Sequence, residues 1–259
     1  MGRLIQISTL ARLTVRELTR RRVFYALGLV ALLLILLSLV LTELSLGQWG
    51  RLIADVGLSS LNLLLDLLAA TLGAGLLAGD IERRSIFVVT AAPISRSRIV
   101  LGRFIGLALV LWMLLALASV VIAVTLGTVA HQFPPLPYWF ACIALGLECA
   151  VVAALAVVFS SFSSSLMAGV FSIAFALLGH LSANLNFFAS KSASPVTARV
   201  GHSLAMILPN LNQFDFKANA TYLDPISPAS AANCLLAASI YAAAYISLAS
   251  LIFTKRDLK

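Results

Sequence analysis

Long apolar runs separated by short polar stretches dominate the chain, and six of them approach or exceed the length of a membrane crossing. About 20 residues of helix span the hydrocarbon core of a bilayer. The third run exceeds one crossing, and the fifth is short unless it continues towards Phe188. The pattern predicts an all-α integral membrane protein with six transmembrane helices, at residues 23–41, 58–79, 99–129, 137–159, 166–181 and 229–253.

Composition supports a membrane protein. Of 259 residues, 61% are hydrophobic and 11% are charged, whereas a soluble domain is about half apolar and a quarter charged. Such a surplus cannot be hidden in a soluble core of this length, so the solvent must be lipid. The first run is long enough to span and no small-residue cleavage site follows it, so we expect no cleavable signal peptide.

The basic residues predict the orientation of the spans. Fourteen of the 18 Lys and Arg residues lie on one face, in residues 1–22, between the second and third spans, and at the C-terminus. Cytoplasmic loops carry such an excess. We expect both termini and a serine turn at residues 160–165 to be cytoplasmic, in a prokaryotic plasma membrane (the inner membrane if Gram-negative). The net charge of +8 then indicates contact with anionic lipid headgroups, not nucleic acid.

Residues 1–22 have the pattern of an interfacial helix that leads into residues 23–259, which we treat as one transmembrane domain. A basic amphipathic helix before a span typically lies in the headgroup layer. The alternative is a basic tail that only fixes orientation. The apolar stripe, at steps of three and four, consists of Leu4, Ile7, Ala11, Val15 and Leu18.

Residues 80–103 form a charged island between the second and third spans. Residues 86–89 are apolar, Pro93 imposes a stop, and Ser95 is suited to cap the next helix. These features predict a short amphipathic helix on the membrane surface that fits a groove on a cytoplasmic partner; the alternative is a solvated loop. The candidate contact residues are Glu82, Arg83, Arg84, Ile86, Phe87, Pro93, Arg96 and Arg98.

The longest predicted external connection, residues 182–228, is a candidate surface for a periplasmic or extracellular partner. Residues 200–211 within it are largely apolar and contain Pro209 near their end. We interpret them as a short helix that dips into the outer leaflet, which requires burial in protein or contact with water. A fully solvated loop is the alternative.

Asp66 and Glu148 are the acids that lie deep inside predicted spans. An ionised carboxylate there is costly, so each should face the bundle interior, a wet cavity or a proton donor. Asn62 lies four residues from Asp66 on the same helix face and is placed to hydrogen-bond it. Two interpretations stay open: these three residues line a translocation path, or they form hydrogen bonds between helices. No basic residue in the spans is available to pair with the acids.

The sequence does not indicate a catalytic, cofactor or metal site. The nucleotide-binding, hydrolase and zinc-protease motifs are absent from the sequence, so we expect no enzyme and no cofactor bound by this chain. His131, His180 and His202 fall on or near the predicted external face at separations that match no ligand motif, so we expect no metal site. The three cysteines are interpreted as small buried residues.

Three short motifs resemble those of the permease subunits of the ABC-2 family of ATP-binding-cassette transporters. The first is Glu82-Arg83-Arg84-Ser85, followed by Pro93-Ile94-Ser95-Arg96 and Leu101-Gly102-Arg103, although Ser85 and Ile86 replace the usual Gly-Thr pair. The second is the C-terminal Phe253-Thr254-Lys255-Arg256-Asp257-Leu258. The third, Leu208-Pro209-Asn210-Leu211, is similar to the branch that includes nitrous-oxide-reductase maturation permeases.

The resemblance implies a six-helix domain with an N-terminal elbow helix, a coupling helix within residues 80–103, and a long external loop with short helices. Two such domains, most simply a homodimer, would each sit on an ATPase subunit that binds ATP and Mg. The expected function is therefore the permease subunit of an exporter. The alternatives are a scaffold that transmits force to an external partner, or an ATP-independent carrier or channel that uses Asp66 and Glu148.

Overall fold

The computed structural model describes residues 2–20, 25, 49–82, 95–131, 133–191, 199 and 208–256. These residues contain helices and no strand. The predicted first span, residues 23–41, falls outside the described residues apart from Tyr25, and so do residues 83–94 of the charged island. The helices are α1 (Gly2–Thr19), α2 (Trp49–Glu82), α3 (Arg96–Val129), α4 (Leu136–Phe162), α5 (Ser165–Lys191), the 3-10 helix Leu211–Phe214, α6 (Lys217–Tyr222) and α7 (Pro228–Lys255).

Five helices of the described chain, α2, α3, α4, α5 and α7, are long and apolar enough to cross a membrane. They confirm five of the six predicted spans. Each is longer than its apolar run, because polar residues continue the helix beyond the run; α2 begins at Trp49 and ends at Glu82. The fifth predicted span continues as a helix to Lys191.

Helix α4 lies at the centre of the bundle and packs against α2, α3, α5 and α7. Small residues allow its close contact with α2: a Cβ at Gly73 would lie 2.7 Å from Ala156 Cβ. Helices α3 and α7 lie outside and expose large apolar side chains, among them Met113, Leu117 and Ile240. Membrane proteins present such side chains to lipid.

Helix α1 packs along the first half of α3 through two glycines. Gly102 faces Leu10, and Gly106 lies so close to α1 that an added Cβ would stand 2.5 Å from Thr14 Cβ and 2.7 Å from the Ala11 carbonyl oxygen. Residues 2–19 are helical as expected, and a position in the headgroup layer stays a prediction. The predicted stripe is only part of the buried face, because Leu10, which lies off the stripe, is buried, and so is Thr14.

A buried ion-pair network joins α1, α2 and α3 beside this contact. The Arg103 guanidinium on α3 binds Glu17 of α1 and Asp80 of α2. Because Arg103 and Asp80 are both less than 10% exposed, the loss of one partner would leave a buried charge uncompensated. The network fixes α1 to the ends of α2 and α3; we call this the arginine-rich end of the bundle, defined by Arg96, Arg98, Arg103 and Arg256.

The serine turn between α4 and α5 is shorter than predicted. Helix α4 continues to Phe162, so Ser160 and Ser161 are fully buried helical residues. Ser160 Oγ accepts hydrogen bonds from the backbone N–H groups of Leu77 and Ala78 at 3.0 and 2.9 Å, and donates to the Ala74 carbonyl at 2.7 Å. The predicted turn therefore contributes a side chain that inserts among the backbone groups of α2.

The opposite end of the bundle, which we call the loop end, carries the segment 208–222. The residues 208–210 are not helical, and the predicted helix at residues 200–211 is not formed over them; residues 200–207 lie outside the described chain. Helix α6 packs on α2 and α4, and Phe216 makes an edge-to-face contact with Phe140 of α4 at 5.0 Å between ring centroids. The described part of the connection from residue 208 to residue 222 is thus folded onto the bundle.

We predict opposite effects for Gly106→Ala and Gly127→Ala, two identical changes in α3. An added methyl at Gly106 overlaps α1 and should cost about 1–3 kcal/mol of stability. At Gly127 no described atom lies within 4 Å of the added Cβ, so the same change should be neutral or stabilising by up to about 1 kcal/mol. Thermal unfolding of the purified protein in detergent measures both. Equal stability of the two variants would contradict the α1–α3 contact.

Candidate functional site

A polar cluster lies in the middle of the apolar bundle, where α2, α4 and α5 meet. Asp66 comes from α2, Glu148 from α4 and His180 from α5, each near the midpoint of its helix. His180 Nε2 lies 3.1 Å from Glu148 Oε1 and 3.7 Å from Asp66 Oδ2. One ligand-type atom from each residue lies within 4.8 Å of the other two. We call these three residues the polar triad.

The triad is buried to different degrees. The Glu148 side chain is 2% exposed, Asp66 12% and His180 37%. Asp66 Oδ1, Glu148 Oε1 and His180 Nδ1 are buried atoms without a hydrogen-bond partner in the described chain. The 3.1 Å approach of His180 to Glu148 thus has the distance of an ion pair without hydrogen-bond geometry. Such unsatisfied atoms are costly in an apolar interior.

The structure places the predicted residues differently from the sequence analysis in one respect. Asp66 and Glu148 are together, as a shared path or a shared hydrogen-bond network requires. His180 was expected at the external face, which is wrong: α5 continues well past it, so His180 lies beside the two acids. His131 is exposed and takes no part in the triad, and His202 lies outside the described residues.

Asn62 and Lys217 extend the site towards the loop end. Lys217 Nζ, at the start of α6, donates to Asn62 Oδ1 at 2.9 Å and lies 3.6 Å from Asp215 Oδ1. Since Asn62 stands one helical turn from Asp66, the ammonium group lies just outside the triad. The sequence analysis considered only Lys and Arg within the spans as partners of the acids, and it did not anticipate Lys217, which reaches the site from the connection.

The backbone around His180 is fixed by the segment that precedes α6. Asn212 Nδ2 donates to the His180 carbonyl oxygen at 2.6 Å. A Cβ at Gly179 would lie 2.9 Å from the Pro209 carbonyl oxygen, so the absence of a side chain lets this segment approach α5. The segment around Leu208-Pro209-Asn210-Leu211 therefore positions the imidazole-bearing residue.

A cavity of about 160 Å³ opens beside the triad between α2 and α5. It exceeds the roughly 30 Å³ that one water occupies in the liquid, so it can hold several waters or a small ligand. Its polar wall contains Asn62, Asp66 and His180, and its apolar wall contains Leu63, Leu67, Ile173, Ala176 and Leu177. The triad is thus accessible from one side.

The predicted docking site at the arginine-rich end is described at three of its eight residues. Glu82 accepts a hydrogen bond from the backbone N–H of Ser165, at 2.8 Å, at the start of α5. Arg96 Nη1 donates to the carbonyl oxygens of Phe253, Thr254 and Arg256 at 3.3, 3.2 and 2.8 Å, where α7 ends. Arg98 donates to Gln6 of α1 at 2.9 Å. The other five, Arg83, Arg84, Ile86, Phe87 and Pro93, lie outside the described residues.

These contacts give the three described residues a structural role within the chain. Glu82 satisfies an N-terminal amide of α5, and Arg96 satisfies the last carbonyls of α7, where a cation is favoured. The described residues on either side of 83–94, Glu82 and Arg96, are thus each bonded to a helix other than their own. The role of residues 83–94 towards a partner stays a prediction.

We predict that Lys217→Met loosens the connection at the loop end. The change removes the bond to Asn62 while keeping an apolar stem of similar length, and a bond to a charged donor contributes about 1.5–3 kcal/mol. Hydrogen exchange of the amides of α6 should accelerate several-fold. Lys255→Met, which also removes one positive charge, is the matched control and should leave α6 unchanged. Unaltered exchange in Lys217→Met would show that α6 is held by packing alone.

Comparison with protein families gives a match over most of the chain. A family model described as "ABC-2 family transporter protein" matches residues 9–258, which is nearly the whole chain and includes every span of the described chain. The comparison with curated proteins returns no match.

Proposed function

The chain belongs to the ABC-2 family of transporter proteins, and from this premise we propose that it is the permease subunit of an exporter that a separate ATPase drives. It is a multi-pass membrane component of an ABC transporter, and such components are not themselves ATPases. The observation that carries the proposal is the family match across all five described spans. The outward direction of transport is the one that the family resemblance implies.

The partner implied by family membership is an ABC ATPase subunit, which would bind ATP and Mg. We place it beneath the arginine-rich end, because an excess of Lys and Arg favours the cytoplasmic face. On the same ground we propose that both termini are cytoplasmic and that the membrane is the plasma membrane of a prokaryote. A second copy of the chain would complete the transporter.

The contacts of Glu82 and Arg96 support a coupling helix at the residues between them. Glu82 is bonded to the first turn of α5, and Arg96 is bonded to the last turn of α7. A displacement of the segment between them would therefore act on α5 and α7 as well as on α2 and α3. Helix α5 also carries His180. A displacement of its first turn at the arginine-rich end would therefore move a residue of the polar triad.

We propose that Asn62, Asp66 and Glu148 lie on the translocation path. The cavity beside them and the unsatisfied carboxylate oxygens support this role. We also assign the chain to the branch that includes nitrous-oxide-reductase maturation permeases; the motif Leu208-Pro209-Asn210-Leu211 and its position against Gly179 and His180 support the assignment.

The proposal predicts that charge reversal at Glu82 together with Arg83 releases the ATPase. The full chain is co-expressed with an ABC ATPase subunit from the same genome, and the complex is purified through a tag on the permease. Glu82→Arg with Arg83→Glu should lower the recovered ATPase about tenfold. Arg51→Glu, at the loop end, should leave recovery unchanged.

Thermal unfolding of each variant separates loss of docking from loss of the Glu82–Ser165 bond. Glu82→Gln alone, which weakens the bond without reversing charge, provides the reference. An intact complex with unchanged ATP hydrolysis in the double variant would remove the coupling assignment. Absence of ATPase from the wild-type preparation would count against the permease role itself.

A further inference from the structure

The polar triad has the arrangement of a ligand set for a metal ion. Ligand atoms placed about 2.0–2.2 Å from a tetrahedral Zn²⁺ are about 3.4 Å apart from one another. His180 Nε2 lies 3.1 Å from Glu148 Oε1 and 3.7 Å from Asp66 Oδ2. These two separations bracket the tetrahedral value, and the ligand atoms of the two carboxylates lie within 4.8 Å of each other. Side-chain adjustments of about 1 Å would bring the three atoms onto one centre.

The hydrogen-bonding state of the triad independently points to a ligand. Glu148 is 2% exposed, and its Oε1 faces the imidazole without a hydrogen-bond partner; Asp66 Oδ1 is likewise unpartnered. Buried polar side chains are nearly always satisfied, and exceptions are explained by waters, ions or functional roles. A cation between the three residues would be bound by Glu148 Oε1 and by the Asp66 carboxylate, and would so compensate both acids.

Charge balance indicates a divalent cation. Two carboxylates in the interior of a membrane bundle require compensation. Lys217 Nζ, which is held by Asn62 and lies beside Asp215, acts electrostatically on both acids. Because Lys217 and Asp215 together add no net charge, two negative charges remain to be compensated. One cation of charge two beside a neutral imidazole cancels Asp66 and Glu148 completely.

The donor types restrict the cation further. Imidazole is a ligand for first-row transition metals such as Zn²⁺, while Mg²⁺ and Ca²⁺ prefer oxygen-only sites. Soft cations such as Cu⁺ are disfavoured because the Sγ of the nearby Cys149 donates towards the Leu65 carbonyl oxygen, 3.5 Å away, and the described cluster contains no sulfur ligand. The adjoining cavity leaves space for water in a fourth coordination position.

We propose that Asp66, Glu148 and His180 form a binding site for one divalent transition-metal cation of the Zn²⁺ class, in the middle of the membrane bundle. This departs from the sequence-based expectation of no metal site, which placed His180 at the external face. The inference goes beyond the proposed function, since binding requires neither an ATPase nor a transported substrate.

The test is metal titration of the purified full-length chain in detergent, after removal of bound metal with a chelator. Competition with a fluorescent Zn²⁺ indicator should give one saturable site per chain. Asp66→Asn and His180→Gln should each weaken binding about 100-fold or more, because each removes a direct ligand and outer-shell changes alone cost about 10–100-fold. Mg²⁺ at equal concentration should not compete.

A matched control identifies the ligands. His131→Gln removes an exposed histidine and should bind Zn²⁺ like the wild type. A variant with Cys142, Cys149 and Cys234 replaced by Ala should also retain the site. If Glu148→Gln does not fold, as its burial allows, His180→Gln carries the test because His180 is 37% exposed.

Three results would overturn the proposal: no saturable Zn²⁺ binding by the wild type, binding that persists in both Asp66→Asn and His180→Gln, or equal competition by Mg²⁺. Absence of binding together with a loss of thermal stability in His180→Gln would assign the triad to an internal ion pair. None of these results bears on the permease role, which the co-purification of the ATPase tests separately.

Discussion

The close contact between α2 and α4 is the constraint on which the rest of the structure depends. In lipid, helices gain little from burying apolar side chains, so small residues that permit close approach determine which helices pair. Gly73 provides that approach opposite Ala153 and Ala156. The same pairing brings Asp66 beside Glu148, so two acids that would each be costly alone share one site.

The contact also connects the polar triad with the arginine-rich end. The Ser160 hydroxyl bonds three backbone groups of α2 between Ala74 and Ala78, and α4 then turns into α5, whose first amide groups meet Glu82. A change at the ends of α2 and α3 is therefore transmitted along α2, α4 and α5 as a unit. This is the physical basis for linking an ATPase beneath the bundle to a site in its middle.

Hydrophobic periodicity predicted the features that depend only on local sequence: the positions of the spans and the N-terminal helix. Five spans are where the apolar runs are, and the amphipathic N-terminal residues form a helix. Periodicity could not give helix ends, because polar residues such as Glu82 and Lys191 continue the helices beyond the apolar runs. Nor could periodicity show which face of α1 is buried. Gly102 and Gly106 of α3 contact Leu10 and Thr14, so these two residues are buried although they lie off the most apolar stripe.

The candidate site was predictable only in part, for a related reason. An acid within an apolar run is recognisable without knowledge of the tertiary structure, so Asp66 and Glu148 stand out in the sequence. His180 lies in a run whose end was misplaced, and Lys217 lies in a connection whose path depends on tertiary contacts. Both residues reach the acids only because helices pack together, and the spacing of residues within one segment does not predict that packing.

The most direct test of the α2–α4 contact is a double-mutant cycle between Gly73→Ala and Ala156→Gly, followed by thermal unfolding. Gly73→Ala places a methyl 2.7 Å from Ala156 Cβ, so it should be destabilising, and Ala156→Gly should restore most of the loss in the double variant. Residues in contact show coupling of about 0.5–3 kcal/mol. Strictly additive losses would show that these helices do not meet at Gly73, and would contradict the account.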